Sequence, residues 1–235
     1  MKLEKISFLI FFLSLFITSK FAFAEECGLP FEKKSDNFVV GYGSLMNSKS
    51  RLGTAPTSEE FYPIVIYDYK RSFGQRGNFY KTTFLTSQNQ NNSFFNAIYF
   101  KVGEDDLNRI DRRESGYCRK KVDNGKIELL GKDKNKSNKV FWIYAARAEN
   151  VKPPSKDYPI TQSYVDLFLG GCFEAEIKYE LKDFAKQCVE TTDNWSKSWV
   201  NDRVHPRRPF DIPFAVRIDN LLKEKISFYQ NIKIE

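Results

Sequence analysis

Hydrophobic positions along this chain fall into two kinds of pattern. In the first half, runs rich in aromatic and β-branched residues recur every 10 to 20 positions and are separated by Gly, Asn and Ser clusters. Such spacing predicts strands at Phe38–Tyr42, Tyr62–Tyr69, Phe79–Thr86, Phe94–Val102, Tyr117–Val122 and Val140–Arg147, and a curved or closed sheet more than repeated βαβ units. One segment breaks the pattern: Glu104–Arg113 has acids at its start, bases at its end and Leu107 and Ile110 on one face. A short helix is predicted there. In the C-terminal third, Ile160–Leu169, Ile177–Val189 and Phe214–Phe228 carry helical spacing, with a break expected at Gly170-Gly171 and an Arg- and Pro-rich passage from Val200 to Pro213. The expected class is α+β.

The N-terminus needs separate treatment. Lys2 and Lys5 precede an apolar run from Ile6 to Ile17, and Ala22-Phe23-Ala24 has the small-x-small form of a signal-peptidase site. The run is short for a membrane span, which needs about 20 apolar residues. Residues 1–24 are therefore expected to be a secretory signal, with an uncleaved anchor as the alternative. Residues 25–235 form the mature chain, exported to a secreted or periplasmic location, with no later membrane insertion. Cys27 is a poor lipoprotein site because Ala24-Glu25-Glu26 precedes it.

Composition changes little in this picture. The chain carries 37 Lys and Arg against 30 Asp and Glu, and removal of residues 1–24 leaves a mild, scattered positive excess. No nucleic-acid partner is expected. Lys132–Lys139 reads as a solvated basic loop. All four cysteines, Cys27, Cys118, Cys172 and Cys188, lie in the mature part, and an even number in an exported chain predicts two disulfides whose connectivity stays open among three arrangements. With no Cys-x-x-Cys and one histidine, His205, a structural zinc site is not expected.

Two short stretches carry candidate chemistry. Gly41-Tyr42-Gly43-Ser44 ends the first strand, but Met46 stands where a dinucleotide fingerprint needs its third glycine and no βαβ unit follows. It reads either as a tight structural turn or as a cradle whose backbone N–H groups face a carboxylate or oxyanion. The second stretch is Leu107–Lys120. Glu114 is placed at a helix end, where the dipole would raise its pKa and suit it to proton transfer. The alternative is a surface glutamate neutralised by Arg112, Arg113 or Arg119.

Together these stretches resemble the gamma-glutamylcyclotransferase superfamily. The marks are Tyr42-Gly43-Ser44-Leu45 after the first strand and Arg113-Glu114 with Tyr117 after a short helix. Local likenesses add Tyr69-Lys70-Arg71-Ser72-Phe73, Ile143-Tyr144 and Ser163-Tyr164-Val165-Asp166. The resemblance spans Asn37 to Phe173. It implies a small mixed β-barrel with flanking helices, followed here by a helical C-terminal extension from residue 174 within a single domain. It also implies a metal-free, cofactor-free reaction in which the α-amine of a γ-glutamyl group attacks its own γ-carbonyl, giving 5-oxoproline and a free amine or amino acid. Carried over, Glu114 is the general acid/base, and Tyr42, Gly43, Ser44, Leu45 and Tyr117 bind the small-molecule γ-glutamyl substrate. Asn96-Ala97 stand where relatives place a glycine, which is expected to alter the neighbouring pocket wall. Many relatives work in the cytosol, so glutathione as the substrate of an exported chain is in doubt.

Other chemistries fit less well. A Ser-His-Asp triad would need His205, and no nucleophile elbow is present. Arg203, Arg207 and Arg208 could clamp a carboxylate or phosphate, against a plainer reading as a solvated loop strapped by Pro206, Pro209 and Pro213. Tyr158, Trp195, Trp199 and Phe210 read as packing. The rival to an enzyme is a secreted binding or effector module that keeps the fold and cavity without turnover.

Overall fold

A computed structural model describes residues 27–235; the expected leader and its cleavage point at Ala24 lie outside the described residues. β1 (Asp36–Gly41) buries Phe38, Val39 and Val40 and leads into a 3-10 turn, Ser44–Met46, and a short helix α1 (Ser48–Leu52). Asn47 starts α1, accepting a 3.0 Å hydrogen bond from Ser50 N as a helix-capping asparagine does.

The next two strands are longer than the sequence pattern predicts. β2 (Phe61–Gly77) and β3 (Thr82–Lys101) pair along one antiparallel hairpin, so Tyr62–Tyr69 runs on past Phe73, and Phe79–Thr86 and Phe94–Val102 belong to one strand or its turn. Phe79 opens no strand; it lies in the turn and is 90% exposed. The expected interruptions are absorbed as register shifts between Tyr67 and Tyr69 and between Phe73 and Gln75. A bulge of this kind accommodates extra residues without ending the ladder.

α2 (Glu104–Arg113) coincides with the predicted helix and buries Leu107 and Ile110. It is followed by β4 (Cys118–Val122), β5 (Ile127–Leu129) and β6 (Lys139–Ala145). The main sheet has the order β4-β6-β1-β3-β2-β5. β1 runs parallel to β6 and antiparallel to β3, and the mixed sheet curls into a half-barrel with helices against it. Val39, Phe95, Phe100, Phe141, Trp142 and Phe168 are fully buried at its centre.

The C-terminal third opens with β7 (Ile160–Thr161) and α3 (Gln162–Lys178). Gly170-Gly171 does not break this helix. A Cβ on Gly171 would stand 2.4 Å from both Asn47 N and the Met46 carbonyl carbon, so the glycine is there to let α3 touch the turn after β1. The predicted helix at Ile177–Val189 is two pieces, because α3 stops at Tyr179 and Glu180 and Asp183 take left-handed conformations before α4 (Phe184–Glu190). β8 (Thr192–Asp193) adds to β2, β9 (Trp199–Asn201) lies between β7 and β10 (Lys233–Ile234), and α5 (Ala215–Lys225) falls within the predicted Phe214–Phe228. The C-terminal segment thus contributes short strands as well as helices.

Two disulfides select one of the three connectivities. Cys27–Cys118 ties the start of the described chain to β4, and Cys172–Cys188 ties α3 to α4. Arg71 makes a further staple: fully buried, it donates to Asn96 O (2.8 Å), Cys188 O (2.8 Å) and Thr192 Oγ1 (2.7 Å). No helix among the described residues is long and apolar enough to cross a membrane.

Candidate functional site

The turn after β1 is held from behind by charged side chains. Arg51, fully buried, donates to the carbonyls of Leu45 (3.2 Å) and Met46 (3.0 Å) and stacks on Phe61. Glu174, on α3, accepts from Ser48 N (2.8 Å), Ser48 Oγ (2.6 Å) and Asn47 Nδ2 (2.9 Å). Gly43 sits so close to Tyr164 that an added Cβ would lie 2.8 Å from its hydroxyl oxygen. With their carbonyl side committed, the first residues of the turn keep N–H groups that a 3-10 turn cannot satisfy internally.

α2 brings the second group of residues. Its C-terminal cap is Glu114, whose N–H bonds Ile110 O at 2.8 Å. Arg113, one residue earlier, reaches across to the turn: it donates to Ser44 Oγ (2.8 Å), Ser50 O (2.8 Å), Ser50 Oγ (2.9 Å) and Thr54 Oγ1 (2.8 Å). Its Nε also stands 3.1 Å from Glu114 Oε1. Of the three arginines weighed as neutralising partners, Arg113 is the one that pairs with Glu114; Arg119 pairs instead with Asp111 at 2.8 Å.

These elements enclose a cavity of about 160 Å³ lined by Tyr42, Gly43, Ser44, Leu45, Arg113, Glu114 and Tyr117, with Val40, Tyr80, Phe84, Tyr144, Tyr164 and Arg208 completing the wall. All six residues singled out from the sequence line this one cavity. Glu114 keeps 16% of its side chain exposed. Burial pushes its carboxyl above the usual range, opposed by the charges of Arg113 and Arg208. The direction is the one expected from the sequence, but removal from water is the leading cause, not the helix dipole.

The tyrosines are fixed by their own hydrogen bonds. Tyr117 donates to Leu85 O at 2.8 Å, Tyr42 donates to Tyr144 O, and Tyr164 accepts from Leu85 N at 3.1 Å. Burial raises the pKa of all three, so they are neutral donors or acceptors at ordinary pH. Tyr164 spends an oxygen lone pair on Leu85 and retains its proton for a cavity partner.

Asn96 and Ala97 do not line the cavity. The Asn96 side chain points the other way, donating to Phe184 O at 2.7 Å and accepting from Arg71. Asn96 therefore serves the attachment of the C-terminal segment, not the pocket wall, where its effect is expected from the sequence. His205 is exposed in its loop and outside the cavity. Tyr80 and Phe84, at the end of the hairpin, carried no signal in the sequence because only the long β2–β3 pairing delivers them to the site.

No protein-family description matches the sequence, and no curated protein is detectably similar. Comparison of folds is informative. A solved structure titled gamma-glutamyl cyclotransferase superposes with a TM-score of 0.50 at 14% identity, covering 80% of this chain and 98% of that one. An uncharacterized protein from Homo sapiens superposes with a TM-score of 0.50 at 15% identity, covering 81% of this chain and 99% of its own. The chain has a gamma-glutamyl cyclotransferase-like fold.

Proposed function

We propose that this chain is an exported enzyme that cyclises a γ-glutamyl group to 5-oxoproline and releases a free amine or amino acid. One observation carries the reading: Glu114, a carboxyl made more basic by burial, faces the same small cavity as the Gly43-Ser44-Leu45 turn.

The mechanism needs a proton carrier and a rigid grip. The backbone of Tyr42, Gly43, Ser44 and Leu45 holds the glutamyl end, with Tyr117 against it. Ionised Glu114 takes a proton from the α-ammonium, and the freed amine attacks the γ-carbonyl carbon to close a five-membered ring. The ring nitrogen of the tetrahedral intermediate gives up a second proton as the bond to the leaving nitrogen breaks. With Glu114 as the carrier, the two protons lost by the α-nitrogen end on the leaving nitrogen, so that the lactam keeps one N–H and the amine departs as an ammonium. No water is consumed. Attacker and target belong to one molecule, so holding them in reacting geometry supplies much of the acceleration, and a positioned acid/base group adds about 10² to 10⁴-fold. Export is supported by the leader-like residues 1–24 and by two disulfides, which persist in oxidising compartments.

The direct test is to incubate the purified mature protein with γ-glutamyl amines, γ-glutamyl amino acids and glutathione and to measure 5-oxoproline. Product from at least one compound is expected. Silence across the panel contradicts the reading and favours a binding module built on the same fold.

A further inference from the structure

The arginines of the Val200–Pro213 passage have different fates. Arg203 is committed to Asp166 and Asp219, at 2.7 and 2.8 Å. Arg207 donates to Lys81 O at 2.6 Å and pairs with Glu235. The Arg208 guanidinium makes no hydrogen bond or ion pair among the described residues. It lies on aromatic rings instead, 4.9 Å from the centre of Tyr80 and 5.8 Å from those of Phe84 and Phe210, and it lines the cavity of Glu114.

Its position is built, not incidental. Buried Asp202 accepts from Ser163 N (2.8 Å), Ser163 Oγ (2.7 Å) and Arg207 N (2.9 Å), and Ser163 Oγ accepts in turn from Arg208 N (3.1 Å). The backbone at 207–208 is thereby fastened to the start of α3, while Arg207 ties it to the hairpin turn. Stacking on rings holds a guanidinium in place and leaves its edge donors available.

Charge then narrows the ligand. Arg113 and Glu114 form a neutral pair, so Arg208 leaves the cavity one positive charge in excess. A γ-glutamyl group on a neutral amine has one ammonium and one carboxylate, with no net charge. A γ-glutamyl amino acid carries a second carboxylate, on the leaving side, and is the ligand that balances the site. We propose that Arg208 binds the carboxylate of the leaving amino acid, making the chain selective for γ-glutamyl amino acids over γ-glutamyl amines. This rests on the cyclotransferase reading above.

The test compares γ-glutamylalanine with γ-glutamylethylamide, which keeps the glutamyl carboxylate and lacks the leaving-side one. The expected wild-type ratio of kcat/KM is about 10 to 100, the range of a charge-assisted hydrogen bond. Arg208→Gln brings the ratio close to one and Arg208→Lys restores part of it. A wild-type ratio near one, or a ratio unchanged in Arg208→Gln, overturns the assignment while leaving cyclisation standing. If wild-type protein turns over neither compound, cyclisation fails instead. Calorimetric dissociation constants for the same two compounds then decide the role of Arg208: a tenfold or larger preference for the alanine compound, lost in Arg208→Gln, supports it, and equal binding overturns it.

Discussion

Arg113 Nη2 donates to Ser44 Oγ at 2.8 Å, joining the end of α2 to the turn after β1. The same guanidinium faces Glu114 through Nε at 3.1 Å, so the proposed proton carrier and the proposed cradle share one anchor. Lysine cannot reproduce a planar fork with bonds in several directions. Arg113→Lys should lose about 2 kcal/mol of stability, read from urea denaturation, and lower kcat/KM. Unchanged stability would show that the fork is dispensable.

Gly171 and Gly170 provide a matched pair. Alanine at Gly171 meets backbone atoms at 2.4 Å that cannot yield, whereas the nearest atom to a Cβ on Gly170 is Asn47 Nδ2 at 3.9 Å. Gly171→Ala should cost about 3 kcal/mol and displace the turn. Gly170→Ala should be neutral or stabilise α3 by up to about 1 kcal/mol. Equal effects of the two in thermal unfolding would refute the close approach of α3 to the turn.

What the sequence disclosed divides along the same line between local and distant causes. α2 was legible because its acids, bases and Leu107/Ile110 spacing act within ten residues, and the residues of the turn and Glu114 were legible as short motifs. The continuous hairpin was not, since the polar stretch Gln88–Ser93 reads as a break, and what carries the ladder past it is the pairing with β2 on either side, Tyr69 with Asn89 and Tyr67 with Phe94. Nor was the passage of α3 through Gly170-Gly171, which depends on the turn it packs against. Arg208 stood in the sequence beside Arg203 and Arg207 as a possible carboxylate or phosphate clamp, against a solvated loop. Which of the three lines the cavity was not legible, because it depends on Asp202, Ser163 and Arg207 meeting partners far along the chain.

The pH dependence follows from the direction of the Glu114 shift. Burial raises its pKa above the ordinary 4.5, and Arg113 is the largest opposing influence. The ionised form is the base, so kcat/KM should fall on the acid side with a midpoint above 4.5, and Arg113→Met should move that midpoint higher. Stability has a matching sign: a carboxyl with a raised folded pKa favours the folded state fully below 4.5 and loses that contribution as pH rises through the folded value. The stability of Glu114→Gln relative to wild type should therefore increase from pH 4 to pH 7. A constant difference in urea midpoints would contradict the shift.

The two disulfides should each contribute about 2 to 4 kcal/mol by loop-entropy accounting. Thiol counting under denaturing, non-reducing conditions should find none free. Replacing Cys172 and Cys188 together, or Cys27 and Cys118 together, should lower the denaturation midpoint by a corresponding amount. Four free thiols in the native protein would remove both the pairing and the argument for export.

The most direct measurement is the rate of 5-oxoproline formation by Glu114→Gln beside wild type, with substrate binding followed by calorimetry on the same samples. Glutamine keeps the size and much of the hydrogen bonding of Glu114 but cannot carry the proton. Turnover should drop by about 10² to 10⁴-fold while binding persists, and Glu104→Gln, at the start of α2 and outside the cavity, should turn over normally. Wild-type rates in Glu114→Gln would contradict proton transfer by this residue even where 5-oxoproline is formed.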